Sequence, residues 1–531
     1  MELEELMRGL GRPSAHPGRV EAVEIRQTHA SVVFLAGDHV YKIKKPVDFG
    51  FLNYSTLERR GDLCRREVEA NARLAPGVYL GVVPATLEGD SLRFEGSGEV
   101  VEYAVKMRRL PDSAHLRARI EAGEEISPLL DQLAARLVDY YATAGADPVS
   151  KPTDPAGALD LATDRFERIG RQALENFEQA SNQVGSTVDR DVFERLRALT
   201  AARLSELRPI LALRSGSFTR LTHGDLRLDH VYHLPDRPEP ERLVVIDCIE
   251  FNDDFRVADV ASEVAFLAMD LIAAGREDLA DRVVDSYQRL ADDATCRRVI
   301  PFFVAYRSAV RAKVRGMAAE EAEIDPRARA SALDRSRLHW LLALDRLESP
   351  ARRPALVMIG GLPGTGKSTL ARRIAALGGF EVIRSDEVRK RLAGAPADAR
   401  PSPFGTGIYT SEWSDRTYAE CRRLARESLE KGKRVIIDAN FGREADRVAM
   451  HSEASRLGVR RAFFVVEADP ALVRSRLEAR SGDVSDADWA IHVEASRRWE
   501  PIQPDPATFP IDLDADSDRV LVEALASRGI I

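Results

Sequence analysis

The sequence predicts two domains of different fold class. The N-terminal part reads as α+β, built from short hairpins and long helices. The C-terminal part reads as α/β with a doubly wound parallel sheet. Three observations carry this. Gly361-Leu362-Pro363-Gly364-Thr365-Gly366-Lys367-Ser368 completes the pattern G-x-x-x-x-G-K-[ST], between an apolar run and a helical stretch. Four apolar runs, at 356–359, 380–383, 434–437 and 462–466, alternate with helical segments around it. Upstream, apolar runs pair across turn residues before giving way to helical periodicity.

At 531 residues the chain exceeds what one hydrophobic core sustains. The stretch Glu348-Ser349-Pro350-Ala351-Arg352-Arg353-Pro354 puts prolines and charges between a helical region and the strand before the glycine-rich loop. Domains are therefore expected over 1–347 and 353–531. In the first, 32–35 and 39–43 read as strands joined by Gly37-Asp38. Residues 57–74 have helical periodicity, and strand character returns at 82–87 and 100–107. Residues 115–215 read as mostly helical, with a polar linker near 144–155. A second hairpin is expected at 231–234 and 243–246, and 258–347 is again helical.

A composition of 44% hydrophobic and 31% charged residues is that of an ordinary soluble chain, and the net charge of −8 speaks against a broad nucleic-acid or membrane surface. Cys64, Cys248, Cys296 and Cys421 are too scattered for a zinc site and read as reduced, buried thiols. The acidic start Met1-Glu2-Leu3-Glu4-Glu5 does not resemble a signal peptide, and Glu263 and Asp270 interrupt the longest apolar run, at 260–274. A cytoplasmic protein without a membrane partner is expected; oligomeric state is left open.

The glycine-rich loop carries the clearest chemistry. Gly361, Leu362, Pro363, Gly364, Thr365, Gly366, Lys367, Ser368 and Thr369 form a phosphate cradle. Backbone N–H groups wrap the phosphates of a nucleotide, Lys367 reaches the terminal phosphates, and Ser368 holds Mg²⁺. In a parallel sheet the strand ends share one rim, so Asp386 and Asp438 arrive beside Lys367. Asp386 is the candidate base for an acceptor hydroxyl, and Arg389 the candidate grip on an anionic acceptor group. Asp438 has three readings: a Mg²⁺ ligand through water, an acceptor contact, or a helix cap. Arg480, with Arg476 on the same helix face, is the candidate lid cation over the transferring phosphoryl. Tyr409 and Trp413 can stack on a base or serve as packing.

Two further motifs lie upstream. Thr222-His223-Gly224-Asp225-Leu226 precedes the second hairpin, and Val244-Val245-Ile246-Asp247 ends it. Over about 25–345 this arrangement resembles the aminoglycoside and choline phosphotransferase family, with a protein-kinase-like two-lobed fold. The resemblance implies Asp225 as catalytic base, Asp247 as metal ligand, Lys42 rather than Lys44 as the strand lysine on the phosphates, and Glu67 as its helix partner. It puts the adenine-binding hinge at 102–108. It also implies an Asn as metal ligand where this chain has His230. His230 is thus a candidate metal ligand, phosphate partner or loop brace, with Asp229 a substitute ligand beside it. Glu250 reads as a metal-side assistant or an exposed acid, and Asp259 as a helix cap or loop brace.

Residues 361–369, Ser385-Asp386 with Arg389, Val435-Ile436-Ile437-Asp438-Ala439-Asn440 and the arginine-rich lid resemble small P-loop kinases of the polynucleotide 5′-hydroxyl kinase and zeta-toxin type. That resemblance implies ATP as donor and a hydroxyl as acceptor. The sequence thus points to a two-domain ATP- and Mg²⁺-dependent phosphotransferase acting on an unidentified hydroxyl-bearing small molecule or nucleotide. A nucleotide-gated regulatory protein with a degenerate first site, and a nucleic-acid 5′-hydroxyl kinase, are the alternatives.

Overall fold

In a computed structural model describing residues 1–28, 30–48, 52–143, 155–252, 255–321, 324–394, 407–479, 488–513 and 517–531, the first hairpin forms as alternation and turn chemistry predict. Strands β2 (Ser31–Ala36) and β3 (His39–Lys44) run antiparallel across a turn in which Gly37 takes φ +58°. They lie in a six-stranded antiparallel sheet of order β1-β2-β3-β6-β4-β5, completed by β1 (Val23–Gln27), β4 (Tyr79–Glu88), β5 (Ser91–Phe94) and β6 (Glu99–Arg108). Strands β1 and β5, both at sheet edges, were not expected; β1 exposes most of its residues, so its sequence lacks the apolar alternation of a half-buried strand.

Thr56 caps the helix Leu57–Asn71 by accepting from the Arg59 N–H, and the helix packs on β4 and β6. Its buried stripe includes Cys64 and Glu67. The second hairpin is β8 (Val231–His233) with β9 (Leu243–Val245), and β7 (Thr219–Leu221) pairs with β10 (Val257–Asp259). The segment near 144–155, expected to be a polar linker, lies largely outside the described residues.

Helix Val260–Ala273 is buried along nearly its whole length. Asp259 caps it, as expected, accepting from the Ala261 N–H at 2.9 Å. The same carboxylate takes two bonds of 2.7 Å from Arg214, which also donates to Asp293 at 2.6 Å. All three side chains are essentially sealed from solvent. Arg214→Ala strands two buried carboxylates, so it is expected to cost about 3–5 kcal/mol, read as a lowered urea midpoint.

The four C-terminal apolar runs become β11 (Ala355–Gly360), β12 (Glu381–Arg384), β13 (Arg434–Asp438) and β14 (Arg460–Glu467), all parallel. A fifth, β15 (Thr508–Asp512), extends the order to β12-β13-β11-β14-β15. It holds Pro510 and pairs on one side only, which is where a strand tolerates proline. Both sheet faces are buried, so the strands read as continuous apolar runs. Val357, Ile359, Ile436 and Phe464 face one core with Leu370 and Leu525. Met358, Ile437 and Phe463 face another with Leu429, Ala454, Phe193, Trp340 and Leu344.

The second core includes side chains from far upstream of the phosphate loop. The chain accordingly divides into one unit of Met1–Glu167 with Arg208–Phe303, and another of Arg168–Leu207 with Val304–Ile531. The units part elsewhere than at 348–354. That stretch folds as a single turn of 3₁₀ helix, Pro350–Arg352, and Arg195 ties to Glu348 beside it at 2.7 Å. The reason is that one face of the parallel sheet is covered by helices from 168–207 and 304–347.

Candidate active sites

In the first unit, β3 turns Lys42 and Lys44 to the same face, as the two-residue strand period requires. Lys42 Nζ donates to Glu67 Oε1 at 2.9 Å and to Asp247 Oδ1 at 2.7 Å. Lys44 Nζ donates to Glu67 Oε2 at 2.7 Å and to Glu250. The Lys42 side chain keeps 16% of its surface and that of Lys44 1%, so Lys42 is the lysine able to meet a ligand. Burial works against charge on both groups. The Asp247 and Glu67 carboxylates outweigh it at Lys42, whose ammonium is held well above its ordinary range. Burial likewise opposes the charge of Asp247, yet Lys42 and then His230 hold its carboxyl far below the usual carboxylate range.

Asp247 sits at φ +66°, a left-handed conformation that costs a non-glycine residue free energy, and its N–H donates to Tyr79 Oη at 3.0 Å. His223 Nε2–H donates to the Ile246 carbonyl at 2.9 Å, and its Nδ1 accepts the Asp225 N–H at 3.3 Å. His230 Nδ1–H donates to the Asp225 carbonyl at 2.9 Å, and its Nε2 accepts from Arg227 at 2.6 Å. Both nitrogens are thus engaged within the loop. Asp229 accepts from Arg117 at 2.7 Å and lies 4.0 Å from Arg227. Glu250 is buried, accepting from Tyr54 at 2.7 Å, and is not an exposed acid. Residues 102–108, expected as the hinge, lie within β6. That strand pairs with both β3 and β4, so its backbone groups are committed, and Glu102 is buried against Arg60 at 2.8 Å.

Two acids that the sequence reading used only against membrane insertion organise this loop. Glu263 accepts the N–H of His223 at 2.8 Å, that of Gly224 at 2.5 Å, and the Tyr141 hydroxyl at 2.8 Å. Asp270 accepts the Leu228 N–H at 3.0 Å and Arg117 at 2.7 Å. Their signal was present in the sequence: an acid inside an apolar buried helix needs partners.

Burial, reinforced by His230, lowers His223 from 6.5 to about 4. An imidazole whose folded pKa is depressed binds its proton more readily in the unfolded chain. Its contribution is therefore complete above 6.5 and is lost as pH falls toward 4. A urea midpoint that declines over this window, with a shallower decline in His223→Gln, is the expected result.

In the second unit, β11 leads through the glycine-rich loop into helix Lys367–Gly378. Gly361 takes φ +139° and Gly364 φ +86°; a Cβ would come within 2.5 Å of the Val466 carbonyl at the first and 2.8 Å of Val473 at the second. Glycine is required at both. Lys367 Nζ donates to the Leu362 carbonyl at 2.8 Å, while His492 and Arg476 donate to the carbonyls of Pro363 at 2.8 Å and Thr365 at 3.4 Å. Ser368 Oγ donates to Asp438 Oδ2 at 2.6 Å, so Asp438 is not a helix cap; Arg384 approaches both, 3.3 Å from Ser368 Oγ and 3.4 Å from Asp438 Oδ2.

These groups border a cleft of about 800 Å³, whose walls include Arg384, Asp386, Arg389, Arg443, Arg476 and Arg498. Asp386, in the first turn of helix Ser385–Leu392, makes no hydrogen bond or ion pair with the described residues. Arg389 is buried and donates to the Ile408 carbonyl at 2.9 Å, bracing the segment before helix Ser411–Glu430. Trp413 packs under Arg416, 4.3 Å from its ring centre. Arg480 and the Tyr409 side chain lie outside the described residues. All four cysteines are buried and unbridged, as expected, and no described helix is long and apolar enough to cross a membrane.

The "Phosphotransferase enzyme family" profile matches residues 56–299, and the "AAA domain" profile matches 356–501. Uncharacterized proteins of Mycobacterium tuberculosis and Mycobacterium bovis are 32% identical to the chain over 481 residues, spanning 90% of it and 90% of each relative. The chain belongs to their family. With a phosphotransferase-family domain in one part and a P-loop AAA domain in the other, the chain is a phosphotransferase of the kinase type. Among solved structures, amicoumacin kinase hAmiN is 13% identical, covering 64% of this chain and 93% of that one, TM-score 0.35. Aminoglycoside phosphotransferase APH(2'')-Ib is 14% identical, covering 63% and 98%, TM-score 0.33. A gluconokinase from Sinorhizobium meliloti is 18% identical, covering 34% and 93%, TM-score 0.25.

Proposed function

We propose that the chain is a bifunctional ATP-dependent kinase, each unit moving the γ-phosphoryl of ATP to a hydroxyl of a small-molecule or nucleotide acceptor. The observation that carries the reading is the convergence at the strand ends of the second unit. Ser368 and Asp438 meet at 2.6 Å, Lys367 lies on the adjoining loop, and Asp386 stands at the same cleft without a cation on it. The glycine cradle suits a polyphosphate because its backbone approaches closer than any side chain allows. Ser368 and Asp438 are oxygen donors that would hold Mg²⁺ there, and Asp247 would do so in the first unit. Bound Mg²⁺ would offset phosphate charge.

The residues then divide the work. Asp386 takes the proton of the acceptor hydroxyl. The acceptor oxygen forms a bond to the γ-phosphorus, the bond to the bridging oxygen breaks, and its electron pair leaves on ADP. Lys367 offsets charge on the transferring group, with Arg476 and Arg480 supplied from the lid. In the first unit Asp225 takes the proton and Lys42, held by Glu67, meets the phosphates.

The test is a screen of hydroxyl-bearing acceptors with γ-labelled ATP on the intact chain, since the parallel sheet loses the helices of 168–207 and 304–347 if the chain is cut at 348–354. Lys367→Ala and Asp225→Asn assign each labelled product to a unit. Label on no acceptor, with ATP bound, would end the kinase reading. A second reading, a nucleotide-gated regulatory role for the first unit, is favoured by His230 having both nitrogens engaged. ATP consumption that Asp225→Asn leaves untouched would support it.

A further inference from the structure

We propose that Lys44 is a positioning residue of the first unit: by occupying the second oxygen of Glu67 it leaves Lys42 an N–H to give to a phosphate. The proposal rests on reading this unit as a phosphotransferase and gives a part to a residue that reading leaves out.

An ammonium carries three N–H donors. Those of Lys44 are all spent inside the protein, on Glu67 Oε2 at 2.7 Å, on Glu250, and on Tyr54 Oη at 3.4 Å. Its side chain keeps 1% of its surface, so no ligand reaches it. Lys42, on the same face of the strand, spends two donors, on Glu67 Oε1 at 2.9 Å and on Asp247 Oδ1 at 2.7 Å. The third has no partner among the described residues, and 16% of the side chain is open.

Two lysines thus divide three carboxylates. Glu67 and Glu250 are both buried, so each needs a cation. Glu250 takes its cation from Lys44, and the Tyr54 hydroxyl donates to the same oxygen at 2.7 Å. Glu250 also acts on the charge of Lys42. Without Lys44, both oxygens of Glu67 and the stranded Glu250 would turn to Lys42, drawing its ammonium inward and consuming its last donor. Lys44 therefore acts through Glu67 and touches no substrate. The neighbouring backbone is held by other groups. The N–H of Asp247 goes to Tyr79 Oη at 3.0 Å, that of Cys248 to Asn71 Oδ1 at 3.0 Å, and that of Ile249 to the His223 carbonyl at 3.1 Å. Losing the Lys44 charge redistributes side chains without releasing this segment.

Acylation of Lys42 tests the idea. The intact chain is treated with Mg²⁺ and a γ-linked acyl phosphate of ATP. A lysine amine lying at the phosphates attacks the acyl carbon, the bond from that carbon to the phosphate oxygen breaks, ATP leaves with the electron pair, and the amine proton goes to solvent. Labelled lysines are located by mass spectrometry of peptides. In the parent chain, label is expected at Lys42, suppressed by excess ATP, and not at Lys44. Lys44→Met is expected to lower the rate at Lys42 by about tenfold, as Glu67 closes on it. Glu250→Gln is expected not to lower it, because Lys44 then gives more of its charge to Glu67. Both variants disturb one buried cluster, so a role in folding alone would lower both rates together. A Lys42 rate in Lys44→Met close to that of the parent chain overturns the proposal, as does a matching fall in Glu250→Gln. If Lys44→Met fails to fold, Glu250→Gln decides alone: a retained rate supports the proposal and a fall overturns it. A parent chain with no ATP-protected label at Lys42 removes the first-unit reading itself, and the proposal with it.

Discussion

Lys367→Ala abolishes label transfer by the second unit, a loss of ~10³-fold or more in kcat/KM, because the charge it removes is one the transition state needs. Folding should scarcely notice. Lys367 donates to the Leu362 carbonyl at 2.8 Å, a contact that closes the loop over itself, and the loop's path is set by Gly361 and Gly364 and by the His492 bond to Pro363. The variant is expected to keep its thermal midpoint within a few degrees, so lost transfer cannot be blamed on a lost fold. Lys367→Arg should remain poor, since a guanidinium is too broad for a cradle in which even a Cβ at Gly364 meets Val473 at 2.8 Å. Measurement is by γ-labelled ATP with whichever acceptor the screen returns. Transfer within a few-fold of the parent chain would remove the loop from the chemistry.

Asp225→Asn should have the second largest effect, lowering transfer by the first unit by ~10²–10⁴-fold. The substitution keeps shape and can still accept from Arg227 through the amide oxygen, but an amide does not take up a proton at neutral pH. The loop itself is held elsewhere. Glu263 grips the N–H groups of His223 and Gly224, and His230 grips the Asp225 carbonyl at 2.9 Å. The expected signature is a fall in kcat with ATP affinity retained. If ATP affinity collapses together with turnover, Asp225 is organising the nucleotide site and another group is the base.

The site of the second unit was legible because its chemistry is local. One loop carries the candidate phosphate contacts, and strand ends in a parallel sheet share a rim, so 386 and 438 could be placed beside 367 without coordinates. Lys42 and Glu67 were legible for a different reason, since a resemblance named their positions, and the structure joins them at 2.9 Å. What escaped was non-local. Glu263 and Asp270 act on residues some forty positions earlier, through a helix that the sequence marks only as apolar. The fate of His230 depended on the direction of a single lone pair, which residue identity does not state. The exposed reading of Glu250 and the hinge reading of 102–108 failed because burial and strand pairing leave no mark on spacing.

Periodicity, turn residues and the glycine-lysine loop determined the secondary structure, the two fold classes and the identity of the candidate phosphate-binding residues, since each depends on neighbours a few positions apart. Tertiary structure alone decided which helices cover the parallel sheet, which carboxylates are sealed against arginines, and which side chains meet at Asp247. Those outcomes depend on burial and on the competition of distant side chains for one another's charges and lone pairs, and such competition is resolved only when the chain is packed.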